Sequence, residues 1–323
     1  MPPHQFGPSF CGGAWRGRKI AYRWETSRLT TKGTHHMATE MLLLAEGFTR
    51  FTDLGLSPII AEIGPIALRW YSMAYLVGIL LAYYWVGKMI RRPGSPMSQQ
   101  HADDLIMWST LGIILGGRLF YILFYEQSLL SFPEAFQLWK GGMSFHGGLT
   151  GLVIGLLIYA RRHKLNGLRI ADYIACVAPF GQMLGRIANF INGELWGRQT
   201  DVPWAIIFPG GGEFARHPSQ LYAAASEGLI IFVVLQLLFW KTDARYKPGF
   251  LLGMGIAMYA TARFFGEFFR EPDAQLSEFA MSTGLSMGQW LTLPMFLIGL
   301  YLVFTAKGRR QRVEPVAGGD SVA

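Results

Sequence analysis

The chain has 323 residues, of which 51% are apolar and 15% are charged, whereas about 25% of an average soluble domain is charged. Its mean hydropathy is +0.26. This composition excludes a largely disordered chain, because disorder requires low hydrophobicity. The two cysteines, Cys11 and Cys176, are too few for a disulfide scaffold. A polytopic membrane protein has this composition.

The formal net charge of +8 does not indicate a nucleic-acid partner. The basic residues form short clusters between apolar runs, and no basic face with interleaved aromatic residues is present. The C-x-x-C and H-E-x-x-H patterns of metal sites are also absent. We therefore expect neither a nucleic-acid partner nor a bound metal.

The first 40 residues differ from the rest of the chain. They are basic and contain no apolar segment of the kind found in a signal peptide. An over-long gene start explains such a leader better than a functional basic arm. Translation from Met37 or Met41 should therefore leave membrane insertion and activity intact, as expression of the truncated chains would show. Loss of either property would give the leader a function.

Seven apolar segments follow an external segment at 41–63, within a transmembrane domain at 64–306. They lie at about 66–87, 105–124, 146–160, 173–191, 221–240, 250–268 and 290–306. Most approach the ~20 residues that a membrane-crossing helix needs. Continuous rather than alternating apolar runs argue against a barrel. The predicted fold is an all-α membrane protein of about seven helices, with external loops at about 125–145, 192–219 and 270–289.

The loops between the segments are alternately rich and poor in lysine and arginine. The rich set contains Lys88, Arg91, Arg92; Arg161, Arg162, Lys164, Arg169; Lys241, Arg245, Lys247; and Lys307, Arg309, Arg310, Arg312. Basic loops stay in the cytoplasm. The basic tail at 307–323 is therefore expected inside, and the N-terminus outside.

Ionisable side chains interrupt several of these segments, where they are costly and usually functional. They are Arg118, His146, Asp172, Arg186, Glu227, Arg263 and Glu267. With the predicted orientation, five helices place polar groups in the outer half of the bilayer. Glycines that follow one another at every fourth position, such as Gly112 and Gly116, are better explained by close helix packing.

The sixth segment carries a stripe of polar residues. Tyr259, Arg263, Glu267 and Arg270 follow at intervals of four, four and three, which places them on one face of a helix. A purely structural Arg263–Glu267 ion pair is the alternative. Arginines near the outer face favour an anionic ligand, most simply a lipid phosphate.

His146 is a histidine at the outer end of a predicted helix, and Gly141, Gly142, Gly147 and Gly148 flank it. Glycines permit close approach of a ligand. From the residues alone, the protein is either a membrane enzyme or a transporter that handles an anionic lipid. A lipid flippase would need polar groups through the whole bilayer, whereas here they favour one level.

Five runs resemble motifs of one family, in that family's order. They are RWYSMAYLVG from Arg69, GGMSFHGGLTG from Gly141, GQMLGRIANFINGELWGR from Gly181, RHPSQLYAA from Arg216 and RFFGEFFREPDAQ from Arg263. Over about residues 60–305 the chain resembles the bacterial prolipoprotein diacylglyceryl transferases. The segment between Arg198 and Arg216 is short by comparison.

The resemblance implies a reaction. The diacylglyceryl group of phosphatidylglycerol moves to the lipobox cysteine of a prolipoprotein signal peptide, which forms a thioether and releases glycerol phosphate. No cofactor is implied. The expected location is the bacterial inner membrane, with the active site toward the outer leaflet.

The resemblance also implies roles for particular residues. Arg186 and Arg263 would bind the phosphate and stabilise its charge as it leaves. His146 would either accept the thiol proton or position a substrate while the arginines lower the pKa of the thiol. The other expected substrate contacts are Tyr71, Arg118, Asn189, Glu194, Tyr259, Glu267 and Arg270, with Glu267 holding Arg263.

Overall fold

A computed structural model describes residues 47–63, 66–130, 134–137, 142–271 and 282–310. The basic leader at 1–40 and tail residues 311–323 lie outside these ranges. So do parts of the two loops expected at about 125–145 and 270–289.

The described chain is mostly helical. Its helices are α1 (Trp70–Ile90), α2 (Gln99–Phe124), α3 (Phe145–Arg162), α4 (Gly167–Ala175), α5 (Ala178–Ile191), α6 (Ser219–Ala223), α7 (Ile231–Lys241), α8 (Phe250–Gly266) and α9 (Met287–Thr305). A π-helical segment, Ala224–Ile230, joins α6 to α7.

Five helical stretches are long and apolar enough to cross a membrane. They are Trp70–Ile90, Gln99–Phe124, Gly167–Ile191, Ser219–Lys241 and Met287–Arg309, and Phe250–Gly266 is a shorter apolar helix. Many of their exposed side chains are large and apolar, such as Leu115 and Phe304. A lipid-facing surface has this character, because lipid tails solvate it. The mostly helical membrane fold is confirmed, while the total of seven spans stays a prediction.

The expectation of an all-α chain is wrong in detail, because the described residues include two small sheets. The strands are β1 (Thr49–Arg50), β2 (Ile59–Ile63), β3 (Ile66–Arg69), β4 (Ile206–Ile207) and β5 (Ala215–Arg216). One sheet has the order β1–β4–β5, with β1 parallel and β5 antiparallel to β4, and β2 and β3 form an antiparallel hairpin.

The hairpin changes the start of the first apolar segment. Residues 66–69, expected in a helix, instead pair with β2. The Trp70 N–H donates to the Pro58 carbonyl at 3.2 Å, so the backbone of this stretch is satisfied by a strand partner. The helix consequently begins at Trp70.

The fourth segment also differs, since α4 ends at Ala175 and α5 begins at Ala178. Pro179 lies in the first turn of α5, and a proline has no N–H to donate to the preceding helix turn. The helix is therefore interrupted just before Pro179, where a backbone hydrogen bond to the preceding turn cannot form.

The sixth segment was expected to extend to 268 and to carry Arg270 on its helical face, and that expectation is wrong. Helix α8 ends at Gly266 with Glu267 as its C-cap. Arg270 lies beyond it and forms a β-bridge with Gly197. The Arg198 N–H also donates to the Phe269 carbonyl at 2.9 Å. The helix ends because the backbone after Glu267 pairs with residues 197–198 instead.

Helices α2 and α3 pack with their backbones nearly in contact through glycines. A Cβ on Gly151 would overlap the Gly112 carbonyl and lie 2.8 Å from its carbon, and a Cβ on Gly116 would lie 2.8 Å from the Gly151 Cα. Small residues at this spacing allow close helix approach in lipid. The α2–α3 pair therefore depends on the absence of side chains at these positions.

The substitution Gly151→Val should separate α2 from α3. Overpacking typically costs about 1–3 kcal/mol, and we expect the upper end here because the obstructing atoms belong to the backbone. The melting temperature of the purified protein in detergent measures the effect. Gly181→Ala is the control, since a Cβ there meets nothing within 4 Å. Equal melting temperatures for the two variants would contradict the packing argument.

Candidate active site

Arginine and glutamate side chains alternate across three elements. Arg186 of α5 donates to Glu227 of the π-helical segment, with 3.2 Å between Nη2 and Oε2. Arg263 of α8 lies with its Nη1 3.8 Å from the other oxygen of Glu227. The Glu227 side chain is 1% exposed, against 18% for Arg186 and 16% for Arg263. One buried carboxylate thus joins two guanidinium groups from two helices.

Glu267 continues this alternation at the end of α8. It forms ion pairs with Arg263 and, at 3.3 Å, with Arg270, and its Oε2 accepts from the Ser286 hydroxyl at 2.9 Å. We name the series Arg186, Glu227, Arg263, Glu267 and Arg270 the arginine–glutamate chain. Its three cations and two anions leave one formal positive charge.

Four members of this chain line a small cavity of about 20 Å³. The lining residues are Arg186, Leu195, Ser219, Gln220, Tyr222, Ala223, Glu227, Arg263, Gly266 and Arg270. Three guanidinium groups and one carboxylate leave this lining positively charged, which suits an anion. The predicted phosphate ligands Arg186 and Arg263 therefore lie in one cavity.

Asn189 and Glu194 lie next to each other near the end of α5. The Asn189 amide donates to Glu194 Oε1 at 2.8 Å, as does the Asn192 amide at 3.1 Å. Gln220, which lines the cavity, donates to the Glu194 carbonyl at 2.6 Å. Asn189 and Glu194 therefore support the chain segment that forms one wall of the cavity.

The two predicted tyrosines have different surroundings. Tyr259 lies one turn before Arg263 on α8 and packs against the hydrophobic core. Tyr71 lies in the first turn of α1, is 36% exposed, and has its ring 5.2 Å from that of Tyr75. Neither tyrosine is among the residues that line the described cavity.

Arg118 is buried in α2 and anchors the loop that follows it. Its Nε donates to the Ala135 carbonyl at 2.8 Å, and its Nη1 donates to the Gly142 carbonyl at 3.2 Å. These bonds hold the backbone just before α3, where His146 lies. In the described contacts Arg118 therefore holds this loop, and it is not among the residues that line the cavity.

His146 occupies the first turn of α3 and is exposed. The hydroxyl of Ser144 caps this turn by accepting from the Gly147 N–H at 3.3 Å. Helix α3 packs on α2, whereas the arginine–glutamate chain is carried by α5, the π-helical segment and α8. Among the described residues, those that line the cavity do not include His146.

Glu227 is absent from the site residues expected from sequence, although it is an ionisable group in an apolar segment. Its place in the fifth segment gave no sign that it would meet Arg186 and Arg263, because those contacts are made between helices distant in sequence. The one indication in the sequence was a carboxylate inside an apolar segment, where ionisable groups are usually functional.

Tyr222 was also missed. Its hydroxyl accepts from the Trp204 indole N–H at 2.6 Å and lies 3.1 Å from His217 Nδ1. Burial lowers the pKa of His217, so the neutral imidazole can accept from Tyr222. These bonds fix the Tyr222 ring against the cavity.

Comparison with known proteins gives the same family over the same part of the chain. The family model described as prolipoprotein diacylglyceryl transferase matches residues 58–305, which include the whole arginine–glutamate chain. The chain belongs to the prolipoprotein diacylglyceryl transferase family.

Relatives named phosphatidylglycerol–prolipoprotein diacylglyceryl transferase are similar over nearly their full length. The protein of Erythrobacter litoralis is 54% identical over 266 residues, which cover 82% of this chain and 94% of the relative. That of Zymomonas mobilis is 49% identical over 270 residues, 80% of this chain and 94% of the relative. That of Rhodospirillum rubrum is 48% identical, with 82% and 96% covered.

Proposed function

We propose that this chain transfers the diacylglyceryl group of phosphatidylglycerol to the lipobox cysteine of prolipoproteins, the first step of lipoprotein maturation. The observation that carries the proposal beyond family membership is the cavity in which Arg186 and Arg263 meet at one buried carboxylate. The three arginines and one glutamate of its lining leave a net positive charge, which suits the negative charge of a phosphodiester.

In the proposed reaction, the thiolate sulfur attacks the diacylglyceryl carbon that carries the phosphate oxygen. The carbon–sulfur bond forms as the carbon–oxygen bond breaks, and glycerol phosphate leaves with the electron pair. Guanidinium groups fixed where this charge develops stabilise the transition state. Arg186 and Arg263 have that role, and Glu267 holds Arg263 through the ion pair between them.

The thiol proton has two possible routes. His146 accepts it as a general base, or the arginines lower the pKa of the thiol while His146 positions a substrate. Tyr71, Asn189 and Tyr259 are proposed to orient the head group. Arg118, Glu194 and Arg270 complete the proposed substrate contacts.

The proposed setting is the bacterial inner membrane, with seven spans and the active site toward the outer leaflet. We assign the seven spans to the five long apolar stretches together with α3 and α8. Alternation of basic and non-basic loops supports a cytoplasmic C-terminus. The acceptor cysteine follows the apolar region of a signal peptide, so it would reach the same outer level.

The test of the proposal is transfer by the purified protein in detergent. Phosphatidylglycerol labelled in its diacylglyceryl group is mixed with a lipobox peptide, and the labelled peptide is detected by mass. A peptide with serine in place of the lipobox cysteine is the control and should stay unlabelled. A well-folded protein that binds phosphatidylglycerol but labels no cysteine peptide would overturn the proposal.

Direct transfer needs no cysteine of the enzyme itself. Cys176 is fully buried, with its sulfur 3.9 Å from the Leu235 carbonyl oxygen, and behaves as a small core residue. Cys176→Ala should therefore keep turnover within about twofold of wild type, and the labelled-peptide assay measures this. A folded but inactive Cys176→Ala variant would indicate a covalent enzyme intermediate instead.

A further inference from the structure

We propose that Glu227 is a positioning residue that sets the distance and orientation of Arg186 and Arg263, so that both guanidinium groups can contact one phosphate. This inference rests on the proposed function and deepens it. The carboxylate of Glu227 lies between the two arginines with one oxygen toward each.

The carboxylate itself is held firmly. Glu227 Oε2 accepts from the Gln182 amide at 3.0 Å as well as from Arg186. Gln182 and Arg186 lie one turn apart on α5, so one oxygen of Glu227 is fixed by two donors on the same helix face. Because it is 1% exposed, the side chain has little freedom to find other partners in water.

The backbone at Glu227 explains how the carboxylate reaches α5. Residues Ala224–Ile230 form a π-helical segment, and such wider turns are frequent at functional sites. The next residue, Gly228, is so close to α5 that a Cβ there would lie 2.7 Å from the Met183 Cα. The segment thus presses against α5 on the side that carries Arg186.

Glu227 also compensates the positive charge of the two arginines. Arg186 and Arg263 would repel each other inside a partly dehydrated cavity without a counter-charge. A buried charge needs a partner and good hydrogen bonds to be tolerated, and Glu227 provides both. It leaves the arginine–glutamate chain with one positive charge rather than two, so a phosphodiester is attracted and the two guanidinium groups stay apart by the width of a carboxylate.

A carboxylate and a phosphate both accept from guanidinium groups with paired oxygens. Arginines arranged around the two oxygens of Glu227 therefore have the orientation that a phosphate also requires. A purely structural counter-ion would not need this orientation. Its loss would lower the stability of the protein without changing the turnover of the folded enzyme.

The experiment compares Glu227→Gln and Glu227→Asp with wild type in the labelled-peptide assay, with phosphatidylglycerol varied. Glutamine keeps the shape but removes the charge, so the cavity still attracts the anionic donor while the arginines lose their spacing. We expect kcat to fall at least tenfold for Glu227→Gln with no rise in KM for phosphatidylglycerol. Glu227→Asp keeps the charge on a shorter side chain, so its kcat should lie between those of wild type and Glu227→Gln.

Asp172→Asn is the matched control. Asp172 is equally buried, and its oxygens accept from the backbone N–H groups of Gly249 and Leu252, each at 2.7 Å. It lies outside the cavity lining. Its replacement should lower the melting temperature and leave kcat per folded molecule unchanged.

Two results would overturn the role of Glu227. One is an unchanged kcat per folded molecule for Glu227→Gln beside an active wild type. The other, if the glutamine variant does not fold, is an unchanged kcat for Glu227→Asp. The proposed reaction fails separately, through a wild-type protein that transfers nothing from phosphatidylglycerol.

Discussion

Replacing either Arg186 or Arg263 by lysine should reduce diacylglyceryl transfer on the order of 10²–10³-fold, the cost of removing a donor that stabilises transition-state charge. Lysine keeps the positive charge but has one compact ammonium in place of the planar guanidinium fork. Arg263 meets two glutamates at once and Arg186 meets Glu227. An ammonium cannot keep such contacts and also bind a phosphate.

Turnover, phosphatidylglycerol binding and melting temperature should be measured together for both lysine variants. Arg309→Lys is the control, because Arg309 is also partly buried but donates to the Pro248 and Leu302 carbonyls, away from the cavity. It should change turnover by less than twofold.

The alternative is that Arg263 and Glu267 pair only for stability. In that case Arg263→Lys would lower the melting temperature while lipid binding and turnover per folded molecule stayed normal. Unchanged turnover for both lysine variants would remove the phosphate-binding role of these arginines.

The helical part of the fold was predictable because lipid imposes one simple rule. Every backbone polar group within the bilayer must be satisfied inside its own segment, so an apolar run of sufficient length becomes a helix. The ends of the runs were less predictable. At Ile66–Arg69 and after Glu267 the backbone found partners in other strands, and pairing between distant segments leaves no local signal.

The site could be predicted only in part, for the same reason. Arg263 and Glu267 are four residues apart, so the contact between them could be predicted from helical spacing alone. The contact of Glu227 with Arg186 spans 41 residues and depends on how the π-helical segment packs against α5. Sequence identified Glu227 as an unusual charge but could not supply its partners.

For His146 the sequence predicted a role in the site, but among the described residues His146 does not line the cavity that contains the arginines. The glycines around it have another function as well. A Cβ on Gly147 would lie 2.8 Å from the Phe120 ring, so this glycine allows α3 to approach α2. Close packing and ligand access are thus both consistent with the motif.

The substitution His146→Gln, or His146→Ala, should lower turnover by more than tenfold with normal membrane insertion, since a general base contributes about 10²–10⁴-fold. The two proposed roles differ in what else changes. Loss of a base lowers kcat, and the remaining activity then rises between pH 6 and 8 with the thiolate fraction of the peptide itself. Loss of a positioning contact raises KM for the lipobox peptide and keeps the pH profile.

Rate profiles over that pH range, with peptide and lipid varied in turn, separate these outcomes. His163→Gln is the matched control, because His163 lies at the other end of α3 and stacks on Tyr159 with 4.2 Å between ring centroids. It should retain wild-type kinetics. Near-wild-type activity of His146→Gln at every pH would contradict both roles of His146 and leave the arginines as the groups that activate the thiol. Positive charge close to a thiol lowers its pKa and raises the fraction of reactive thiolate.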